Sequence, residues 1–97
     1  MNIPTIKYES ETEFTSALDE NAHAIHIRTL YAIDKAFNTN EDYVVIAYLK
    51  TDAQVAELGA PDDIWIDNLE KSLDYFEEIE DYTRCQEVVD LIKILKE

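Results

Sequence analysis

The chain has 97 residues, 46% of them hydrophobic, with one glycine and two prolines. That composition gives one domain, 1–97, with a modest core, and excludes a disordered or linker-rich chain. Its 22 Asp and Glu against 8 Lys and Arg leave a formal charge of −14, which opposes direct contact with nucleic acid or an anionic membrane surface and favours a basic protein surface.

No stretch reaches the roughly 20 apolar residues of a membrane span, and MNIPTIKYESE lacks the basic start and apolar core of a signal peptide. The expected location is the cytoplasm, or a host cytoplasm if the protein is phage-encoded. Cys85 is the single cysteine, so no internal disulfide forms, and its place on an apolar stripe reads as a buried structural thiol.

Residues 1–12 read as an extended arm. Pro4 restrains its neighbours, and Ile3, Ile6 and Tyr8 are too few to anchor a helix. The arm either lies on the surface or adds an edge strand. A long helix is predicted over 16–37, capped by Thr15 or Ser16. Leu18, Ala22, Ile25, Thr29, Ala32, Ile33 and Ala36 share one face of it, broad and partly made of small residues. Asn38, Thr39 and Asn40 end it.

Residues 43–58 read as a short β element or a helix. Tyr43–Leu49 is apolar throughout and rich in β-branched and aromatic side chains, which suits a strand buried on both faces. Lys50-Thr51-Asp52 is a turn. For the residues after it, Asp52 as N-cap, Gly59 past the end and Pro61 beyond would equally make a two-turn helix.

Residues 62–97 read as an antiparallel helical hairpin. Asp62 or Asp63 caps its first helix, whose stripe is Trp65, Leu69, Leu73 and Phe76. Glu80-Asp81-Tyr82 breaks the run, and Asp81 caps a second helix with Cys85, Val88, Val89, Ile92 and Leu95 on its apolar side. The fold class is therefore α+β, predominantly α. The expected core is Leu18, Ile25, Ile33, Val45, Ala47, Leu49, Trp65, Leu69, Leu73, Val88 and Ile92.

Candidate chemistry is sparse. His23 and His26, with Glu20 before them, sit at helical ligand spacing. Three groups on one helix do not make a metal site, and no matching cluster occurs elsewhere. Carboxylate pairs such as Asp62/Asp63, Glu77/Glu78 and Glu80/Asp81 are expected at this acid content. No nucleophile set, glycine-rich phosphate loop or calcium-loop spacing accompanies them. The reading is non-enzymatic, with no cofactor. Tyr75 and Tyr82 flank the hairpin turn and suit partner contact, as tyrosines in interface cores do.

The spacing of Leu69, Leu73 and Phe76, then Glu80-Asp81-Tyr82, Cys85, Val88, Asp90, Ile92 and Leu95, resembles the UVR motif. That helical hairpin occurs in the B and C subunits of bacterial nucleotide-excision repair and in some protease and kinase accessory proteins. The family usually has two small residues where Cys85 and Gln86 stand, and an arginine where Val89 stands. The resemblance implies a protein–protein module that pairs with a second copy or docks onto another subunit.

The expected function is thus that of an adaptor or assembly factor. Its partner-binding residues would be Tyr75, Tyr82, Val89, Glu77, Glu78, Glu80 and Asp81, its partner a protein with a basic surface, and a homodimer is possible. The alternative is a phage-type acidic inhibitor, whose carboxylates mimic DNA and block a nucleic-acid-binding host enzyme.

Overall fold

A computed structural model describes residues 3–97; the first two residues of the expected arm lie outside the described residues. The elements run β1 (Thr5–Lys7), α1 (Glu11–Glu20), α2 (Ala22–Asn38), β2 (Tyr43–Lys50), β3 (Val55–Pro61), a single 3-10 turn (Asp62–Ile64), α3 (Trp65–Glu78) and α4 (Tyr82–Leu95). The class is α+β and predominantly helical. Among the described residues no helix is long and apolar enough to cross a membrane.

The predicted long helix over 16–37 is two helices. Ser10, not Thr15 or Ser16, caps the first by accepting from the Glu13 N–H, so the extended arm ends earlier than residue 12. The break is at Asn21, with φ −102° and ψ 9°. Its backbone N–H and its side-chain amide both donate to the Ala17 carbonyl, at 3.1 and 2.8 Å. Its own carbonyl accepts from Ile25 and starts α2. A short amide side chain competes with the main chain for such carbonyls, and an apolar periodicity carried across the break does not register it.

The arm supplies the edge strand. β1 pairs parallel to β2, with Ile6 beside Leu49, and β2 pairs antiparallel to β3, giving the order β1-β2-β3. Residues 43–58 are therefore the greater part of a strand pair that continues to Pro61. Between its strands, the Thr51 hydroxyl accepts from the Ala53 and Gln54 N–H groups, both at 3.2 Å. That closure takes the place of the alternative helix. The sequence alternation in β3 is faint because Ala60 is its sole buried residue.

β2 is not buried on both faces, despite its unbroken apolar run. A bulge between Val45 and Ala47 turns Ile46 and Ala47, neighbours in sequence, both into the core, where they are 5% and 0% exposed. One inserted residue shifts the alternation by one and explains the run. Ile6, Val44, Ile46 and Ala47 meet α1 and α2 on the covered face. Tyr43 and Val55 are exposed, while Val45 and Tyr48 are half-buried.

The larger core cluster joins Leu30, Ile33 and Ala36 of α2 to Val44 and Ile46, to Trp65, Leu69 and Phe76 of α3, and to Val88 and Leu91 of α4. A buried aliphatic or aromatic side chain of this kind contributes about 1.5–3 kcal/mol. A second cluster of Ile6, Ala17 and Ala47 lies under α1. Of the expected core, Ile33, Ala47, Trp65, Leu69 and Val88 are buried. Leu18, Ile25, Val45, Leu49, Leu73 and Ile92 are half-buried, Val45 because of the bulge. Trp65 is 3% exposed, and its indole N–H donates to the Ala60 carbonyl at 2.9 Å, tying α3 to β3.

Neither Asp62 nor Asp63 caps α3. They form the 3-10 turn, and no side chain caps α3 at Ile64. α2 and α3 end alike. Asn40 and Glu80 take left-handed φ values of 59° and 60°. The Glu41 N–H then reaches the Ala36 carbonyl at 2.9 Å, and the Asp81 N–H reaches that of Phe76 at 2.8 Å. This is the Schellman closure, normally built on glycine. With one glycine in the chain, at 59, asparagine and glutamate take that conformation instead.

Candidate functional site

α3 and α4 follow each other across Ile79–Asp81 and pack together through Leu69, Phe76, Val88 and Leu91. Asp81 caps α4 by accepting from the Arg84 N–H at 3.3 Å, and its other carboxylate oxygen meets the Arg84 guanidinium at 2.6 Å. Those bonds hold the Asp81 carboxyl below its ordinary range. Among the described residues this is the one ion pair, so the remaining carboxylates leave their charge in solvent.

Away from the core, the two helices enclose a shallow groove of about 510 Å³, lined by Leu73, Glu77, Tyr82, Cys85, Gln86 and Val89. Tyr82 is 65% exposed, the most exposed aromatic side chain among the described residues, and Ile79, three residues before it, is 44% exposed. Glu77, Glu78 and Glu80 are exposed. Cys85 is half-buried, and its thiol is pushed up by desolvation and then by Glu77 and Asp81. It forms part of the groove wall.

Tyr82, Val89 and Glu77 therefore share one surface, while Asp81 is spent on the cap and the Arg84 pair. Tyr75 is elsewhere. Its hydroxyl hydrogen-bonds His23 Nδ1 at 3.0 Å, and its ring stacks on His26 at 4.6 Å between centroids. It joins α3 to α2 and takes no part in the groove. Leu73, Cys85 and Gln86 were absent from the expected surface. For Cys85 and Gln86 the signal is their place one helical turn from Tyr82 and Val89, and for Leu73 its place one turn before Glu77 on α3.

The two histidines are structural contacts. His26 Nδ1 hydrogen-bonds Ser72 Oγ at 2.8 Å, and Ser72 is fully buried. Burial, and secondarily the nearby His23, lowers the His26 pKa below its ordinary value. Among the described residues, no group of three or more His, Cys, Asp or Glu side chains is placed to hold a metal ion. A smaller groove of about 270 Å³ lies between α2 and α4, with Leu30, Leu91 and Ile94 as its apolar part and Asp34, Glu87 and Asp90 as its acids. There Tyr31 donates to Glu87 at 2.9 Å.

Comparison with protein-family models, with curated proteins and with solved structures finds no match.

Proposed function

We propose that this chain is a small acidic, non-enzymatic interaction protein, an adaptor or assembly factor, that docks a basic protein surface through α3 and α4 acting as a helical hairpin. The observation that carries the reading is Tyr82, an exposed aromatic side chain on a groove whose lining includes Leu73, Cys85 and Val89 and the unpaired carboxylate of Glu77. An aromatic anchor within a charged rim is the usual division of labour at an interface: the anchor supplies affinity, the charges supply rate and orientation. Val89, where the UVR pattern has arginine, extends the apolar part. The resemblance to that motif supports the same reading.

A second reading is a DNA-mimicking inhibitor of the kind phages use. It is favoured by the scarcity of ion pairs: of 22 acids, Asp81 alone pairs with a cation among the described residues. Such a surface offers carboxylates to a channel evolved for phosphates. The two readings differ in how binding responds to salt.

The test is capture of partners from lysate on the purified protein, washed at about 0.1 and then about 0.5 M salt, across which the screening length shrinks severalfold. Under the docking reading the partner survives the second wash. Tyr82→Ala and Val89→Asp each weaken it by about thirtyfold, as loss of a hot-spot contact does. A nucleic-acid enzyme that is released at high salt and indifferent to both substitutions would establish mimicry instead.

A further inference from the structure

β3 pairs with β2 along one edge, and among the described residues no strand pairs with the other. Free edges are ordinarily guarded by lysine, an internal proline or a cover, because their unpaired backbone groups recruit other strands. β3 (VAELGAP) has one charged side chain, Glu57, and no lysine, and its proline stands at the last position. Val55 is 62% exposed and Leu58 36%. Beside β3 lies a cavity of about 230 Å³, with Leu58 and Ala60 on the strand side, Ile25 and Ile46 among its apolar lining, and Asn68 and Ser72 of α3 opposite.

The register says what such an edge would accept. Leu58 and Ala60 pair with Ala47 and Val44, both buried on the helix-covered side, whereas Glu57, on the same face as Val55, pairs with Tyr48 on the other side. A strand laid along β3 alternates in the same way. One set of its side chains enters the cavity, where Ile25, Ile46, Leu58 and Ile64 favour apolar groups and Lys71 repels a cation. The other set emerges beside Glu57. From Thr51 to Glu70 the chain has six acids and no lysine, arginine or histidine. Two β3 edges brought together would set Glu57 and the flanking Asp52, Asp62 and Asp63 of one copy against those of the other, which disfavours a second copy as occupant.

We infer that the free edge of β3, with the cavity between it and α3, takes an extended segment of a partner protein as a fourth strand, apolar residues facing the cavity alternating with lysine or arginine facing out. Main-chain bonds supply affinity and the cavity supplies selectivity, the usual arrangement in strand addition. This surface is separate from the Tyr82 groove and does not depend on it.

The test uses three synthetic peptides matched to the seven residues of β3. One alternates Lys and Ile, one replaces each Lys by Glu, and one is the Lys/Ile peptide N-methylated on the amides that would face β3. Each is titrated into isotope-labelled protein and followed by amide resonances. The Lys/Ile peptide is expected to shift Leu58, Gly59 and Ile64, the Glu/Ile peptide to leave them unmoved, and N-methylation to weaken binding about tenfold or more through lost backbone bonds. Leu58→Asp, at an already exposed position, should weaken it similarly. Equal affinity for the methylated peptide, shifts confined to Tyr82 and Val89, no binding, or self-association of the chain through Val55–Pro61 would each overturn the inference.

Discussion

His26 shows what a single side chain contributes when two helices close on it. It hydrogen-bonds buried Ser72, stacks on Tyr75, and meets Phe76 edge-on at 6.3 Å. Ser72, a polar residue inside α3, is thereby satisfied; without this partner its burial would cost about 1–3 kcal/mol. The price is a charge that the folded protein resists. Its pKa is lowered in the fold, so as pH falls through the ordinary histidine value of about 6.5 the unfolded chain binds a proton that the folded chain does not. Stability present above that pH is therefore lost below it. Urea midpoints at about pH 7.5 and about pH 6, above the carboxylate range, should fall for the natural chain and fall less for His26→Gln. An equal decline in both would remove His26 from the account.

At the scale of elements, three helix ends are made without glycine. α1 gives way to α2 at one asparagine, and α2 and α3 end on left-handed Asn40 and Glu80. Asparagine tolerates that conformation; glutamate does so at a cost of about 1–2 kcal/mol. Glu80→Gly is accordingly expected to stabilise the protein by about 1 kcal/mol in urea denaturation, and Asn40→Gly by much less. A destabilised Glu80→Gly would mean that the glutamate side chain makes contacts outweighing its backbone strain. The same substitution removes a carboxylate from the proposed docking rim, so partner binding measured on it separates electrostatic steering from the Tyr82 anchor.

At the scale of the whole molecule, charge is the dominant unrelieved term. A body of 42 × 30 × 21 Å carries −14, and one ion pair among the described residues offsets little of it. Repulsion over such distances is appreciable at low ionic strength and shrinks once the screening length falls to about 8–10 Å. Raising salt from about 0.01 to about 0.3 M should stabilise the fold by about 1 kcal/mol, read as a rise in melting temperature of about 4–8 °C for a domain of this size. An unchanged melting temperature would show that the carboxylates are spread too far apart for repulsion to matter. Glu9 points the other way, toward local crowding: Asp52 lies close enough to raise its pKa through a shared hydrogen bond and like charge.

Periodicity, turn residues and charge surplus carried much of this architecture at the level of sequence. The inner face of α2, the stripe of α3 with Trp65, the Asp81 cap and the acidity around Tyr82 all follow from residues a few positions apart, and local rules govern those. Most of what lay beyond reach depended on partners distant in the chain; the Asn21 break is the local exception, turning on one amide choosing a carbonyl four residues back. The bulge at Ile46 disguises a one-faced strand as a two-faced one, and the faint alternation of β3 gains meaning only from its register with β2. Tyr75 and Tyr82 look equivalent in sequence, seven positions apart on either side of a turn, yet packing sends one to the histidines of α2 and leaves the other exposed. Sequence by itself determined composition, helix faces and net charge, because each is a sum over the chain or a local repeat. Only the tertiary structure decided which apolar groups stay uncovered, because exposure is what remains after distant elements have taken their places.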